Sequence, residues 1–208
     1  MIDLNLFIQP FPLPREILHD LQPWQITSNL EEILTKYLPF LGKDYRISNN
    51  QAIHQTARIE PGVIMKGTVI IGADCFLATG AYLRGGVFLD NQVSLGPGCE
   101  IKSSVIAQGA AIAHFNFIGD SLIGSQVNFE AGSVIANHYN ERENKRIFIK
   151  INDEIFDTGL EKFGALVGDN SKIGANAVLS PGTILTPGSI VKRLELLEQL
   201  KARNKKHS

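Results

Sequence analysis

An aliphatic side chain recurs at every sixth position from residue 47 to residue 101 of this 208-residue chain. A period of six fits neither a helix, whose faces repeat near 3.6 residues, nor a strand, whose faces alternate every second residue. It is typical of a parallel β-helix, in which each hexapeptide forms a short strand and a corner. The unbroken series is Ile47, Ile53, Ile59, Met65, Ile71, Leu77, Leu83, Leu89, Leu95 and Ile101.

Three hexapeptides close one three-sided coil, so each aliphatic residue is expected to point inward and to stack on its equivalent 18 residues later. Beyond Ile101 the register weakens. It is expected to resume with a shift at Phe117, Ile123, Phe129 and Ile135, and to return after a break at Val167, Ile173, Leu179, Leu185 and Val191. Gly, Asn and Asp cluster at the corners, where they tolerate left-handed backbone. The predicted fold class is all-β, with Cys75 and Cys99 as buried thiols inside the coil.

Three segments lie outside this repeat and divide the predicted domain of residues 47–191 from its flanks. Residues 1–46 are predicted to form a helical cap over the first coil, or a partner contact, with a capping box at Ser28-Asn29-Leu30-Glu31 and a stop at Pro39. Residues 138–163 are predicted to form a projecting loop with a hairpin. Residues 192–208 are predicted to form a short helix and a basic tail.

Composition excludes several classes of protein. The chain has 20 basic and 21 acidic side chains, which argues against a general nucleic-acid binder. It has no apolar run near the ~20 residues that span a bilayer. The N-terminus has neither the basic flank nor the cleavage site of a signal peptide, and two cysteines make no disulfide framework. These observations predict no membrane contact and a cytoplasmic location.

Two basic residues that interrupt the repeat are the first candidates for a site. Arg84 and Lys102 are 18 residues apart, so they should stack on neighbouring coils. Two cations about 5 Å apart repel each other unless an anion lies near them. Spacing leaves two interpretations equally open: solvated surface bases, or a clamp for a phosphate or carboxylate.

His114 lies where the register slips, in Ala113-His114-Phe115-Asn116-Phe117. A slip redirects side chains, although a single histidine in a turn is more often structural than catalytic. His54 and His138 lie 60 and 24 residues from it, which disfavours a zinc site built on three histidines. No metal is expected.

The stretch from Tyr82 to Asn137 resembles the acetyltransferase half of the bifunctional UDP-N-acetylglucosamine pyrophosphorylase / glucosamine-1-phosphate N-acetyltransferase family. The matching strings are Leu83-Arg84-Gly85-Gly86, Glu100-Ile101-Lys102, His114-Phe115-Asn116-Phe117-Ile118-Gly119-Asp120 and Asn128-Phe129-Glu130-Ala131-Gly132. The later segment Asp157–Asn170 resembles an archaeal-type branch of sugar-1-phosphate nucleotidyltransferases with an amino-sugar acetyltransferase domain. The resemblance implies a left-handed coil.

The resemblance also implies acetyl transfer from acetyl-CoA to a hexosamine 1-phosphate, with glucosamine and galactosamine left open. His114 would be the general base, because a neutral imidazole can accept the amine proton. Glu100 would hold the base or the amine. The implied substrate contacts are Arg84, Lys102, Phe117, Asn128 and Asn137. The implied CoA contacts are Ala131, Ala165, Ser180 and Pro181.

The same resemblance implies a homotrimer with sites shared between copies, since flat-sided prisms suit threefold packing. Two departures weaken it. No nucleotidyltransferase pattern precedes the coils, and Phe117 replaces the family's tyrosine. A transferase for UDP-sugars and a non-catalytic trimeric scaffold are therefore the competing hypotheses.

Overall fold

The computed structural model describes residues 2–18 and 20–200, and it begins with short helices. The α-helices are α1 (Arg15–Leu18), α2 (Pro23–Ser28) and α3 (Leu30–Tyr37), with 3-10 turns at Leu4–Leu6 and Leu38–Phe40. Within the described residues, no helix is long and apolar enough to cross a membrane.

Strands make up the rest of the regular structure. In chain order they are β1 (Tyr45–Ser48), β2 (Gln51–His54), β3 (Arg58–Ile59), β4 (Ile64–Lys66), β5 (Val69–Ile71), β6 (Phe76–Leu77), β7 (Tyr82–Leu89), β8 (Ser94–Leu95), β9 (Glu100–Ile106), β10 (Ala111–Ile112), β11 (Phe117–Gly119), β12 (Leu122–Ile123), β13 (Asn128–Phe129), β14 (Val134–Ile135), β15 (Phe148–Ile151), β16 (Glu154–Asp157), β17 (Ala165–Val167), β18 (Lys172–Ile173), β19 (Val178–Leu179), β20 (Thr183–Leu185), β21 (Ile190–Val191) and β22 (Leu196–Leu197).

These strands stack in parallel as the three faces of a coil, which confirms the predicted β-helix. Face 1 contains β4, the first halves of β7 and β9, and then β11, β14, β19 and β22. Face 2 contains β2, β5, the second halves of β7 and β9, and then β12, β17 and β20. Face 3 contains β3, β6, β8, β10, β13, β18 and β21.

The coil shortens by one residue at the corner after Lys102. Tyr82 pairs with Glu100 at a spacing of 18, whereas Glu100 pairs with Phe117 at a spacing of 17. The shorter corner makes Ile118 the inward residue of its strand, with no exposed surface, and turns Phe117 outward. The prediction that Phe117 lies in the core is therefore wrong.

Ile47 also departs from the predicted repeat. It is 49% exposed, because β1 pairs antiparallel with β2 instead of stacking in the coil. The other predicted inward residues line the interior, and Cys75 and Cys99 are fully buried among them, as expected. Burial raises the pKa of the Cys75 thiol to about 11. This thiol is consequently a core group and a poor nucleophile.

Face 2 carries a second apolar column on its outer side, and the N-terminal helices cover it. Each member precedes an inward residue by one position: Ala52, Ile70, Phe88, Val105, Leu122, Leu166 and Ile184. Helix α3 packs on β7 and β9, and α2 packs on β9. The helices thus lie along a face of the coil and not over its first turn.

The capping box was predicted at the wrong helix. Ser28 is the last residue of α2, and the side chain of Asn29 makes no capping hydrogen bond to α3. The reciprocal box joins Gln22 and Gln25 at the start of α2. Glutamine oxygens can accept from backbone N–H groups as serine does, so the pattern was present one helix earlier.

The predicted hairpin within residues 138–163 is confirmed, since β15 and β16 pair antiparallel across Asn152-Asp153. One side of the hairpin packs against the coil, and the other side projects into solvent. Ile147 and Ile149 are fully buried against the coil, whereas Ile155 is 60% exposed. The predicted C-terminal helix is wrong, because β22 adds one more strand to face 1. Residues 201–208, with most of the predicted basic tail, lie outside the described residues.

Gly86 is the point where α3 meets the coil, and replacing it should separate the two. Its φ is +84°, and a Cβ would lie 2.5 Å from the amide nitrogen of Glu31. Gly86→Ala is expected to cost about 2 kcal/mol or more of unfolding free energy, because the left-handed strain alone costs roughly 1–2 kcal/mol. Gly188→Ala is the matched control, with a φ of +74° and no atom within 4 Å.

The measurement is urea unfolding of both variants, followed by the fluorescence of Trp24, the one tryptophan of the chain. Trp24 is buried on α2, so its emission reports whether the helices stay on face 2. Equal losses of unfolding free energy in the two variants would mean that the contact with α3 adds no cost to that of the left-handed backbone.

Candidate active site

Face 1 presents two columns of outward side chains, because alternate residues of a strand point to the same side. One column runs through Tyr82, Glu100 and Phe117. The other runs through Lys66, Arg84 and Lys102. Arg84 and Lys102 are therefore neighbours in register, as their spacing predicted, and Lys66 extends the row of cations by one coil.

Arg84 is held by a carboxylate from the next coil. Its Nε donates to Oε1 of Glu100 at 2.7 Å, and its Nη2 lies 2.6 Å from the same oxygen. The two side chains are 37% and 32% exposed, so the pair faces solvent. Glu100 thus positions the guanidinium, and within the described residues its carboxylate forms no hydrogen bond with the ring of His114.

Lys102 is held by a carboxylate that the sequence argument did not use. Its Nζ donates to Oδ1 and Oδ2 of Asp120 at 2.8 and 2.7 Å, and the side chains are only 16% and 7% exposed. The Nδ2 of Asn137 donates to the same carboxylate. Asp120 therefore joins the cation edge of face 1 to the start of the insertion. The two cations were predicted to be either solvated surface bases or a clamp for an anion; in the structure each is paired with a carboxylate of the same chain, Arg84 with Glu100 and Lys102 with Asp120.

His114 lies at the opposite edge of face 1, at the corner that leads in from face 3. Its carbonyl accepts from the amide of Gly132 at 2.8 Å, and the ring is exposed. Strands of face 1 are two to three residues long, so roughly 7–10 Å of strand separates the two edges. The imidazole and the two cations therefore lie at opposite edges of face 1.

Asn116 fixes the corner that carries His114. It is buried, its Oδ1 accepts from the amide and the hydroxyl of Ser133, and its Nδ2 donates to the carbonyl of His114. A satisfied amide of this kind holds the backbone of the corner rigid. Sequence analysis missed Asn116, although it follows His114 by two residues.

The cation edge also contains a second histidine. His138 follows Asn137 directly, and its Nδ1 lies 3.2 Å from Oδ1 of Asn137. The imidazole is exposed at the point where the insertion leaves the coil. His138 is therefore a geometric rival to His114, which the sequence alone did not suggest.

Phe117 and Asn137 meet over Gly119. A Cβ on Gly119 would lie 2.9 Å from the Phe117 ring and 2.9 Å from Nδ2 of Asn137. The absence of a side chain there lets both residues close over the strand next to Lys102. Phe117 is thus an outward member of the site, and its ring has no hydroxyl to donate to a substrate.

Within one chain, Asn128 does not lie with the other candidate site residues, which are on face 1. It lies on β13 of face 3, exposed, between Ala111 and Lys172 in register. The corner that carries His114 separates that face from Glu100 and Phe117.

The four residues implied as CoA contacts lie at three different places in the structure. Ala131 stacks directly on His114 along the corner and is partly exposed. Ser180 and Pro181 are buried, and the hydroxyl of Tyr139 donates to the carbonyl of Pro181. Ala165 is fully buried inside the coil, so its side chain is not exposed to a ligand in a single copy of the chain.

Residues 2–18 and 20–200 contain no group of three or more His, Cys, Asp or Glu side chains placed to hold a metal ion. The polar network of face 1 consists instead of carboxylate–cation pairs and amides. Such an arrangement can orient an anion and an amine, which are the parts of an amino-sugar phosphate.

Comparisons with known proteins agree with this fold. A "Bifunctional sugar-1-phosphate nucleotidylyltransferase/acetyltransferase" of Sulfurisphaera tokodaii is 30% identical over 150 residues, which cover 72% of this chain and 36% of that protein. A "Bifunctional protein GlmU" of Methanococcus vannielii is 33% identical over 157 residues, covering 73% of this chain and 37% of that protein. The chain thus spans about a third of the length of these curated relatives.

Among solved structures, a hexapeptide transferase family protein from Anaplasma phagocytophilum is 19% identical. It covers 69% of this chain and 70% of its own, with a TM-score of 0.42. Residues 47–153, just over half of the sequence, match the family described as the GMPPB C-terminal domain. The chain belongs to the GMPPB C-terminal domain family of hexapeptide-repeat proteins.

Proposed function

We propose that this protein transfers an acetyl group from acetyl-CoA to the amino group of a hexosamine 1-phosphate. One observation carries the proposal: Arg84 and Lys102 stand side by side on an exposed face, and His114 occupies the other edge of that face. The relative from Sulfurisphaera tokodaii, named for a sugar-1-phosphate activity and an acetyltransferase activity, aligns over 72% of the chain.

The transfer is direct. The amine lone pair attacks the thioester carbonyl and forms the C–N bond, His114 accepts the proton that the nitrogen loses, and the C–S bond then breaks. The imidazolium returns that proton to the departing CoA sulfur. Backbone N–H groups at the corner are the donors available to the oxyanion. No acyl-enzyme forms, in keeping with the burial of Cys75 and Cys99.

Arg84 and Lys102 bind the phosphate in this proposal. Glu100 occupies Nε and one terminal nitrogen of Arg84, which leaves the other terminal nitrogen for the ligand. Asp120 accepts two hydrogen bonds from the ammonium of Lys102, whose side chain keeps 16% of its surface exposed. The carboxylates therefore preorganise the cations, and a dianionic phosphate still finds charge-assisted donors beside them.

Other contacts follow from position. Asn137 and Phe117 would border the sugar next to Lys102. Asn128 would reach the same site only from another copy, since it lies on face 3, and this supports a homotrimer that packs face against face. The CoA arm would pass Ala131 beside His114. Ser180 and Pro181 would contribute after Tyr139 turns away from them.

A second candidate function is that of a non-catalytic trimeric scaffold. Three observations favour it: both cations are already paired, Phe117 lacks a hydroxyl, and Tyr139 covers Pro181. In that case the acidic partners would serve only the stability of the coil.

The deciding experiment measures the release of free CoA thiol from acetyl-CoA with a panel of acceptors. The panel contains glucosamine 1-phosphate, galactosamine 1-phosphate, unphosphorylated glucosamine and UDP-linked amino sugars. Faster release with a hexosamine 1-phosphate than with glucosamine supports the proposal. Release with UDP-sugars alone would transfer the assignment to a sugar-nucleotide acyltransferase, and no release with any acceptor would leave the scaffold.

A further inference from the structure

The corner that carries His114 contains an aromatic residue in a backbone conformation that most equivalent corners give to glycine or asparagine. In the described coils, the corners between faces 3 and 1 each have one residue with positive φ: Gly62, Gly80, Gly98, Phe115, Gly132, Asn176 and Leu194. The φ of Phe115 is 54°. Left-handed backbone is unfavourable for a bulky L-residue, so this position carries strain that a glycine would remove.

Burial does not offset that strain. Phe115 is 73% exposed, and its ring lies over Gly98 in the preceding corner. A Cβ on Gly98 would lie 2.5 Å from Cδ1 of the ring. Gly98 therefore leaves room for the ring to lie on its backbone, and the ring keeps most of its surface exposed to solvent.

Residues next to Phe115 and to Gly98 in the sequence are groups that the proposed reaction uses. His114 precedes Phe115 in the chain, and Glu100 follows Gly98 by two residues. An exposed aromatic ring has an electron-rich face, which suits the apolar C–H face of a pyranose. Leu194 has a similar φ of 60° and is 79% exposed, but it lies in the last described coil, away from His114.

We infer that Phe115 is a specificity-determining residue that stacks on the acceptor sugar and sets its affinity, an inference that rests on the proposed function. The ring forms a wall of the site beside the base, opposite the cation edge. The strained backbone holds it there, because a residue with the usual negative φ would turn the side chain elsewhere.

The test compares Phe115→Gly with Leu194→Gly in the full chain. Both substitutions relieve a bulky left-handed residue, so both should raise Tm. Only Phe115→Gly should raise the KM for glucosamine 1-phosphate, by about tenfold, while kcat and the KM for acetyl-CoA change little. The same KM in both variants would overturn the inference.

Calorimetric binding of glucosamine 1-phosphate separates this inference from the proposed function. A wild-type protein that binds the sugar phosphate without transferring acetyl would end the proposed reaction, and weaker binding to Phe115→Gly would still support the stacking contact. Equal binding to both proteins, or no binding to the wild type, would overturn it. A smaller particle mass for Phe115→Gly would assign the ring to a contact between copies and would overturn it as well.

Discussion

Replacing His114 with alanine is expected to lower kcat/KM for acetyl transfer by about 10³-fold. The attacking amine then has no positioned base, and general base catalysis contributes about 10²–10⁴-fold. The KM for the sugar phosphate should change much less, because the proposed phosphate ligands, Arg84 and Lys102, lie at the opposite edge of face 1. Thiol release with glucosamine 1-phosphate measures both quantities.

His138→Ala is the matched control for this prediction. Both imidazoles are exposed, but His138 lies at the cation edge beside Asn137, whereas His114 lies in the corner between faces 3 and 1. If His114 is the base, His138→Ala should lower kcat/KM by about tenfold or less. A larger loss in His138→Ala than in His114→Ala would assign the base to the insertion and reverse the geometry of the mechanism.

The interior of the coil was predictable because a single geometric constraint repeats. An apolar side chain fills the centre of each short strand, so the period of six is visible from Ile53 to Ile101. The period of six does not show where the coil becomes one residue shorter, which is at the corner after Lys102. Phe117 and Ile118 are both apolar, and the pattern alone does not tell which of them faces inward.

The position of the N-terminal helices was also encoded, in a column that the sequence analysis did not use. Ile70, Phe88 and Val105 stand one residue before inward residues and recur at spacings of 18 and 17. Apolar doublets on one face in successive coils indicate that this face is covered on the outside. The helices bury that column, which leaves faces 1 and 3 for other contacts.

The candidate site was predictable only as far as strand register determines it. Parallel stacking alone places Arg84 beside Lys102. The partner of Lys102 depends on the corner, where the side chain of Asp120 turns back on Lys102 across 18 residues of sequence. A search for an anion at that spacing would have found Asp120, but no periodicity shows which way a corner side chain points.

Asp120→Asn is expected to lower the free energy of unfolding by about 3 kcal/mol. The substitution keeps the size of the side chain and suits the left-handed φ of 47°, but it leaves the ammonium of Lys102 without its counter-charge at a site only 16% exposed. Removing one partner of a buried ion pair costs about 3–5 kcal/mol. Urea unfolding at a fixed protomer concentration, followed by Trp24 fluorescence, measures the loss.

Glu100→Gln provides the comparison, since it removes the other carboxylate of the same face. Its pair with Arg84 is about a third exposed, so the cost should stay below about 1 kcal/mol. The double variant Lys102→Met/Asp120→Asn should recover most of the loss, because no charge is then left unpaired. If Asp120→Asn and Glu100→Gln cost the same, Asp120 is no more than another surface carboxylate. If they differ as expected, the corner at Asp120 is the rigid support that holds Lys102 and Asn137 in place.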